Sequence, residues 1–365
     1  MEGDFIKIND WLLPLSWIYG AGVRLRNQMF EMGMLKSRSF GIPVISVGNI
    51  TVGGSGKTPH VEYLINLLRD KVKVAVLSRG YKRKSKGYML ATADTPMSDI
   101  GDEPYQMKKK FADIYVAVDK NRCHGIDQLT TNEETSDTDV ILLDDAYQHR
   151  YVKPGVNILL VDYHRLIMYD KLLPAGRLRE PQKGKARADI VIVSKCPADL
   201  KPMEFRVITK AMNLFPYQKL YFTTLKYGSL RPIYGGEDRK LDTLTGDTSI
   251  LLLTGIASPQ QMIVDLKPYT ERITPLTFPD HHQYTDADID RINAEFEAMK
   301  GNDKMIVTTE KDNARLCGME GLSDEVKKNI YVLPVEVGFM LDQEEDFNEN
   351  IIGYVRKNSR NSILA

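Results

Sequence analysis

Apolar positions along the chain change period several times, and the changes mark out its elements. Between residues 10 and 35, Trp11, Leu15, Ile18, Gly22, Leu25, Met29 and Met32 recur every three or four residues, while Arg24, Asn27, Gln28 and Glu31 fall on another face. That spacing predicts an amphipathic helix. From residue 41 the pattern turns into short unbroken apolar runs at 43–47, 72–77, 114–118, 140–143, 156–161, 190–193 and 220–222. Helical patterns separate them, starting near Thr58, Glu103, Lys120 and Lys201. Strands that are apolar on both faces and interleaved with helices predict a doubly wound, mostly parallel sheet in an α/β fold. A stretch rich in Gly, Pro and charge at 228–246 reads as a linker or loose hairpin. A second α/β pattern follows, with strands at 250–253, 305–307 and 331–335. Thr285 and Asp288 stand in capping-box spacing before a helical pattern at Ile289, Ile292 and Phe296. The predicted organisation is an N-terminal amphipathic helix at 1–40, a core domain at 41–227, a linker or hairpin at 228–249 and a smaller C-terminal α/β domain at 250–365.

Composition narrows this picture. The 365 residues suit two domains, at roughly 150 residues each. Lys and Arg total 49 and Asp and Glu total 49, so the formal charge is zero. Without a basic excess, a nucleic-acid partner is disfavoured. Cys123, Cys196 and Cys317 are scattered. Their spacing supports neither a zinc site nor a disulfide framework, and it suits a reducing compartment. The first ten residues show no secretory signal pattern. The amphipathic segment is too interrupted to span a bilayer, which takes ~20 apolar residues. It can lie in the membrane interface with Arg24, Arg26, Lys36 and Arg38 toward lipid phosphates. Composition alone favours the alternative, in which the stripe packs on the protein's own core.

The strongest chemical signal begins at the first apolar run. Thr51, Val52, Gly53, Gly54, Ser55 and Gly56 form a glycine-rich turn, and Lys57 and Thr58 open the helix behind it. Backbone N–H groups of such a turn point at phosphate oxygens. Lys57 would reach the β/γ-phosphates, and the Thr58 hydroxyl would bind Mg²⁺. The usual spacing wants glycine where Thr51 stands. With this turn the fold class becomes a P-loop NTPase-type sheet. Asp144 and Asp145 end an apolar run downstream, where a P-loop enzyme holds its metal ion.

Other motifs keep two readings. Gly101, Asp102, Glu103 and Pro104 precede a helical pattern, so the acids either complement a helix dipole or supply a base for a hydroxyl acceptor. In Phe278, Pro279, Asp280, His281, His282, Gln283 and Tyr284, a histidine can tune a carboxylate, although two surface histidines are the simpler reading. Arg79 follows the second apolar run, and Arg177 and Arg179 lie in the turn-rich segment 173–181. They suit a phosphate-bearing substrate or the transferring phosphoryl group. Thr308 to Asp312 either helps hold a base or ribose or caps a helix.

Taken in order, the segments 47–59, 78–81, 101–104, 143–149, 173–181, 278–281 and 309–312 resemble the tetraacyldisaccharide 4′-kinase family, the lipid A 4′-kinases of Gram-negative bacteria. The resemblance spans nearly the whole chain, and the displaced glycine belongs to that family's pattern. Ala146 and Tyr147 stand where the family carries Gly and a bulky residue, and Arg177 where it often carries an apolar one. Arg179 is therefore the stronger of the two arginines. The resemblance implies transfer of the ATP γ-phosphoryl group to the 4′-hydroxyl of a tetraacylated glucosamine disaccharide 1-phosphate, giving lipid IVA. It implies Lys57 and Thr58 on phosphate and Mg²⁺, with Asp144, Asp145 and Glu103 in the metal shell. Asp102 would be the base, paired with His281. Arg79, Gln148, His149, Arg177 and Arg179 would hold the lipid substrate. It also implies peripheral attachment to the cytoplasmic face of the inner membrane through the N-terminal helix, now with its stripe toward lipid, and a monomer. Two other readings are a kinase for a soluble metabolite and a P-loop switch protein, which would need no acceptor hydroxyl.

Overall fold

The computed structural model describes residues 8–256, 259–280, 282–316 and 319–358. They form two compact units, one of residues up to Leu225 together with those from Val337 onward, the other Lys226–Glu336.

The first unit is built on a nine-stranded sheet. Its strands are β1 (Val44–Gly48), β2 (Val74–Ser78), β3 (Met89–Leu90), β4 (Tyr115–Val118), β5 (Val140–Asp144), β6 (Val156–Asp162), β7 (Ile190–Ser194), β8 (Lys219–Tyr227) and, from much later in the chain, β14 (Val335–Phe339). The order across the sheet is β14-β8-β7-β6-β1-β5-β2-β4-β3. From β8 to β4 every pair is parallel, and β3 runs antiparallel to β4 at the edge. β1, β2, β5 and β7 are buried along their whole length, as strands covered on both faces must be. The connecting helices are α1 (Leu13–Glu31), α2 (Lys57–Leu68), α3 (Met97–Ile100), α4 (Asp102–Lys110), α5 (Arg122–Thr131) and α6 (Pro202–Met212). α2 and α4 pack on one face, where Val61, Leu64, Ile65 and Met107 join Ile45, Val76 and Ile158 in one core. α6 covers the other face through Phe205, Ile208 and Met212. β1 has β5 on one side and β6 on the other, so the chain reverses direction across the sheet there. In open α/β sheets the crevice beyond such a strand's carboxyl end receives ligands.

α1 has an unusual orientation. Pro14 is tolerated in its first turn. Its buried residues are Ser16, Gly20 and Phe30. The Ser16 hydroxyl donates to Leu172 O at 3.0 Å and accepts from Ala175 N at 3.0 Å. The Tyr19 hydroxyl donates to Arg179 O at 2.8 Å. A Cβ on Gly20 would stand 2.7 Å from the Leu172 side chain, so the helix lies close to that segment. Trp11, Leu15, Trp17, Ile18, Leu25 and Met32 are exposed, Trp11 at 94% and Ile18 at 71%. The stripe expected from the sequence therefore exists, and it faces away from the protein.

The second unit carries a five-stranded sheet of β9 (Arg231–Pro232), β10 (Ser249–Thr254), β11 (Ile273–Thr277), β12 (Lys304–Thr309) and β13 (Ile330–Leu333), in the order β11-β10-β12-β13-β9. Its helices are α7 (Gln260–Leu266), α8 (Asp286–Ala298), α9 (Glu310–Leu316) and α10 (Asp324–Asn329). Thr285 and Asp288 cap α8 reciprocally, as their spacing predicts.

The domain boundaries differ from those expected. Residues 228–249 are no linker: β9 pairs with β13, and Leu230, Leu241 and Leu244 are buried in the second unit's core. Leu230 stands alone and Leu241 and Leu244 make only a single turn, so glycine and charge dominate the pattern. The C-terminal domain does not run to residue 365 either. Pro334 interrupts the expected strand at 331–335, since it brings no N–H to the ladder. The chain then returns to the first unit as β14 and α11 (Glu344–Asn358). Phe347, Ile351 and Val355 of α11 enter that unit's core. β11 went unread because Pro275 interrupts it, which an edge strand tolerates.

Candidate active site

The glycine-rich turn leaves the carboxyl end of β1. Gly48 ends that strand where a Cβ would come 2.8 Å from Tyr147 N, so the turn after β5 packs directly on it. Asn49 is fully buried and donates through Nδ2 to Ser55 Oγ at 2.8 Å and to Thr51 Oγ1 at 3.3 Å, bracing the turn across its base. Val52 N donates to Arg177 O at 2.8 Å and Arg179 N to Ile50 O at 2.7 Å, so the 177–179 segment is laced alongside. Gly53, with φ +116°, and Gly56, with φ +77°, sit in the region that favours glycine. Gly56 is the N-cap of α2 and Lys57 its first residue. Val52, Gly53 and Gly54 are exposed, while Thr51 and Ser55 are buried.

Asp144 closes β5 and Asp145 follows with φ +46°, a conformation that Asp tolerates better than most residues. Lys57 Nζ lies 3.6 Å from Asp145 Oδ1, and Arg179 Nη1 lies 3.7 Å from Asp145 Oδ2. The Ser78 hydroxyl, at the end of β2, donates to Asp144 Oδ2 at 3.3 Å. Asp144 Oδ1 is buried with no hydrogen-bond partner. Burial, and then the Asp145 charge, push the Asp144 carboxyl above its usual range against the pull of Lys57 and Arg122. Arg122 is buried behind the acids and donates to Asp144 O and Asp119 O, both at 3.3 Å. Burial lowers its pKa to about 10.

The substrate candidates gather unevenly. Gln148 donates through Nε2 to Asn49 O at 2.8 Å and accepts from Arg179 Nη1 at 3.2 Å. His149 has its pKa lowered to about 4 by burial, with Arg122, Arg26 and Arg79 adding positive charge around it. Its Nε2 is buried without a partner. Arg79 is exposed at the end of β2. Arg177 is exposed too, and its Nη1 lies 4.0 Å from where a Cβ on Gly53 would be. Asp102 is buried at the start of α4, and Glu103 follows it half-buried. A Cβ on Gly101 would stand 2.9 Å from Tyr81 O, so the acids are held against the turn that carries Arg79. His281, expected beside Asp102, lies outside the described residues.

In the second unit, His282 and Asp312 are both engaged by neighbouring side chains. His282 Nε2 meets Asp288 Oδ2 at 2.9 Å and stacks on Phe278. Asp312 is fully buried; it accepts from Gly255 N at 2.9 Å, Thr309 Oγ1 at 2.7 Å and Arg315 Nη1 at 3.0 Å. That carboxylate is saturated by the protein itself.

The acids suit a hard divalent cation. Asp144 offers a buried, unpartnered oxygen, Asp145 stands beside it, and oxygen donors are what Mg²⁺ takes. Among the described residues no group of three or more His, Cys, Asp or Glu side chains is placed to hold a metal ion. Mg²⁺ characteristically uses one or two carboxylates, waters and substrate phosphates. Sequence reasoning missed Asn49, His60, Arg122, Ser194 and Lys195. The one available signal was position, since Ser194 and Lys195 come directly after the strand expected at 190–193 and strand ends in such sheets face the ligand crevice.

A phosphate-cradling turn at the chain-reversal strand, a lysine and threonine opening the next helix, and paired aspartates ending the adjacent strand define a P-loop phosphotransferase. The comparisons with known proteins sharpen the class. The chain belongs to the tetraacyldisaccharide-1-P 4′-kinase family (LpxK), whose sequence profile matches residues 8–356. It is 60% identical over 363 residues to the tetraacyldisaccharide 4′-kinase of Phocaeicola vulgatus, covering 99% of each chain. It is 55% identical to that of Bacteroides thetaiotaomicron, covering 100% of this chain and 98% of the relative. Its structure resembles the crystal structure of LpxK from Aquifex aeolicus in complex with ATP, with a TM-score of 0.71 at 31% identity over 94% of this chain and 98% of the other.

Proposed function

We propose that this chain transfers the γ-phosphoryl group of ATP to the 4′-hydroxyl of a tetraacylated glucosamine disaccharide 1-phosphate, the step of lipid A biosynthesis that gives lipid IVA. The observation that carries the reading is the approach of Lys57 to Asp145 across the glycine-rich turn, with the unpartnered Asp144 oxygen beside them. Lys57 and the N–H groups of the turn bind the β/γ-phosphates. Thr58, Asp144 and Asp145 would hold Mg²⁺, which when bound would neutralise negative charge on the phosphates. Arg79, Gln148, His149 and Arg179 face the acceptor, with Arg177 at the rim of the turn. Asp102 takes the proton of the 4′-hydroxyl. All of these residues come from one chain, so the reading needs only a monomer.

α1 supports peripheral docking on the cytoplasmic face of the inner membrane. Ser16, Tyr19, Gly20 and Arg26 of α1 meet the protein, and Trp17 and Ile18, with Trp11 just before the helix, are left outward, as an interfacial helix requires. No helix among the described residues is long and apolar enough to cross a membrane.

The test uses purified protein, γ-labelled ATP, Mg²⁺ and the tetraacyl disaccharide 1-phosphate in mixed micelles. Label is expected in the lipid with the parent protein and not with Asp102→Ala or Lys57→Ala. Absence of transfer by a parent protein that binds ATP would overturn the proposal and move the weight to a nucleotide switch or another acceptor.

A further inference from the structure

Three successive carbonyls of the phosphate loop are each met by a side-chain donor from outside it. Gly54 O accepts from Lys195 Nζ, Ser55 O from Ser194 Oγ at 2.9 Å, and Gly56 O meets His60 Nδ1 at 2.7 Å. The donors are themselves fixed. Lys195 follows β7 with φ +59° and also donates to Asp162 Oδ2 at 2.9 Å. Ser194 is fully buried. His60 is 4% exposed, and its Nε2 lies 3.0 Å from the hydroxyl of Thr223 on β8. A carbonyl can only accept, so His60 Nδ1 carries the proton and Nε2 accepts from Thr223.

The geometry of the peptide bond turns this into a statement about ligands. In a planar trans peptide the C=O of one residue and the N–H of the next point to opposite sides. Holding the carbonyls of Gly54, Ser55 and Gly56 toward β7 and α2 therefore turns the N–H groups of Ser55, Gly56 and Lys57 the other way. Among the described residues, no backbone acceptor takes the Ser55 or Gly56 N–H. We propose that Lys195, Ser194 and His60 are positioning residues that set the phosphate loop in its anion-binding form before the nucleotide arrives, by anchoring its three carbonyls. Preorganised donors lose no energy to reorganisation when the phosphates bind. The anchors come from β7, from the loop behind it and from the first turns of α2. Two of the three thus lie at the end of a strand that no sequence motif for phosphate binding includes. This inference rests on the nucleotide-binding reading above.

The test is calorimetric titration with Mg·ADP, set beside steady-state kinetics. Loss of one anchor is worth about one net hydrogen bond, so Ser194→Ala and Lys195→Met should each weaken ADP binding about fivefold to tenfold. The KM for ATP should rise with it, while the KM for the lipid acceptor stays unchanged; a general loss of structure would move both. His60→Leu should behave likewise, and His60→Asn, whose amide can donate in place of Nδ1–H, should recover most of the affinity. If His60→Leu fails to fold, Lys195→Met carries the test, because that side chain is 21% exposed. Imidazole nitrogen shifts should report His60 as the Nδ1–H tautomer, and the opposite tautomer would remove His60 from the set. Wild-type binding with all three variants equally tight would overturn the inference alone. A wild-type chain that binds no ADP would instead overturn the kinase reading beneath it.

Discussion

α1 and α2 have the same kind of sequence and opposite placements. Each shows apolar residues every three or four positions. α2 buries Val61, Leu64, Ile65 and Leu68 against the sheet. α1 buries Ser16, Gly20 and Phe30 and leaves Trp17 outside, with Trp11, the chain's other tryptophan, exposed just before it. Periodicity states that a helix has two faces and not which face meets the protein. What decides α1 is its polar side: Ser16, Tyr19 and Arg26 find carbonyl acceptors at Leu172, Arg179 and Gln148, in segments that also form the candidate site. The helix is attached by the side that a core helix would leave wet.

Four measurements test this contrast. The largest effect belongs to α2, whose first residue carries the site: Lys57→Met should lower kcat by roughly a thousandfold, as loss of a single phosphate-stabilising group does, with urea stability near wild type. Leu64→Ala in the same helix should cost about 3 kcal/mol of stability, the range for a buried leucine, read from denaturant midpoints. Next comes pH. The His60 pKa falls from 6.5 to about 4 on folding, chiefly through burial. The unfolded chain therefore binds the proton more readily between those values, and stability drops as pH falls through 6.5 toward 4. By linkage the contribution lost between pH 7 and pH 5 is about 2 kcal/mol. Denaturant curves of wild type and His60→Leu at both pH values should differ in their pH dependence by that amount, and parallel pH dependences would remove His60 as the cause. The smallest stability effect belongs to α1. Trp17→Ser should change stability by less than about 0.5 kcal/mol, as exposed positions do. The same substitution should reduce co-sedimentation with anionic lipid vesicles, and unchanged sedimentation would deny the helix its membrane role.

Much of the first unit was legible. Its strands are unbroken apolar runs bounded by turns, and the phosphate loop announces itself by glycine, lysine and threonine in order. Asp144 and Asp145 were legible as strand-end acids. The loop's anchors were not. Ser194 and Lys195 stand far from the loop in sequence, and they reach it only because β7 lies two strands from β1, an order that periodicity does not encode. His60 sits within the motif's helix, but its partner Thr223 is 163 residues away. The second unit's limits were hidden for a different reason. Leu230, Leu241 and Leu244 are buried singly between polar neighbours, and nothing in the charged sequence of α11 says which sheet it packs on.

The return of the chain through β14 has a consequence for biosynthesis. β14 lies beside β8 on the first sheet, and Met340 N donates to Phe222 O at 3.0 Å. Between those neighbours the ribosome must make the whole of Lys226–Glu336. The larger unit thus waits for its closing strand and for Phe347, Ile351 and Val355 until the smaller one has been synthesised. During translation the second unit can therefore fold first, although the first unit begins the chain. A shortened gene that joined β8 directly to β14 would let the larger unit close as soon as it left the ribosome, and its yield beside the full-length gene would show whether the delay matters.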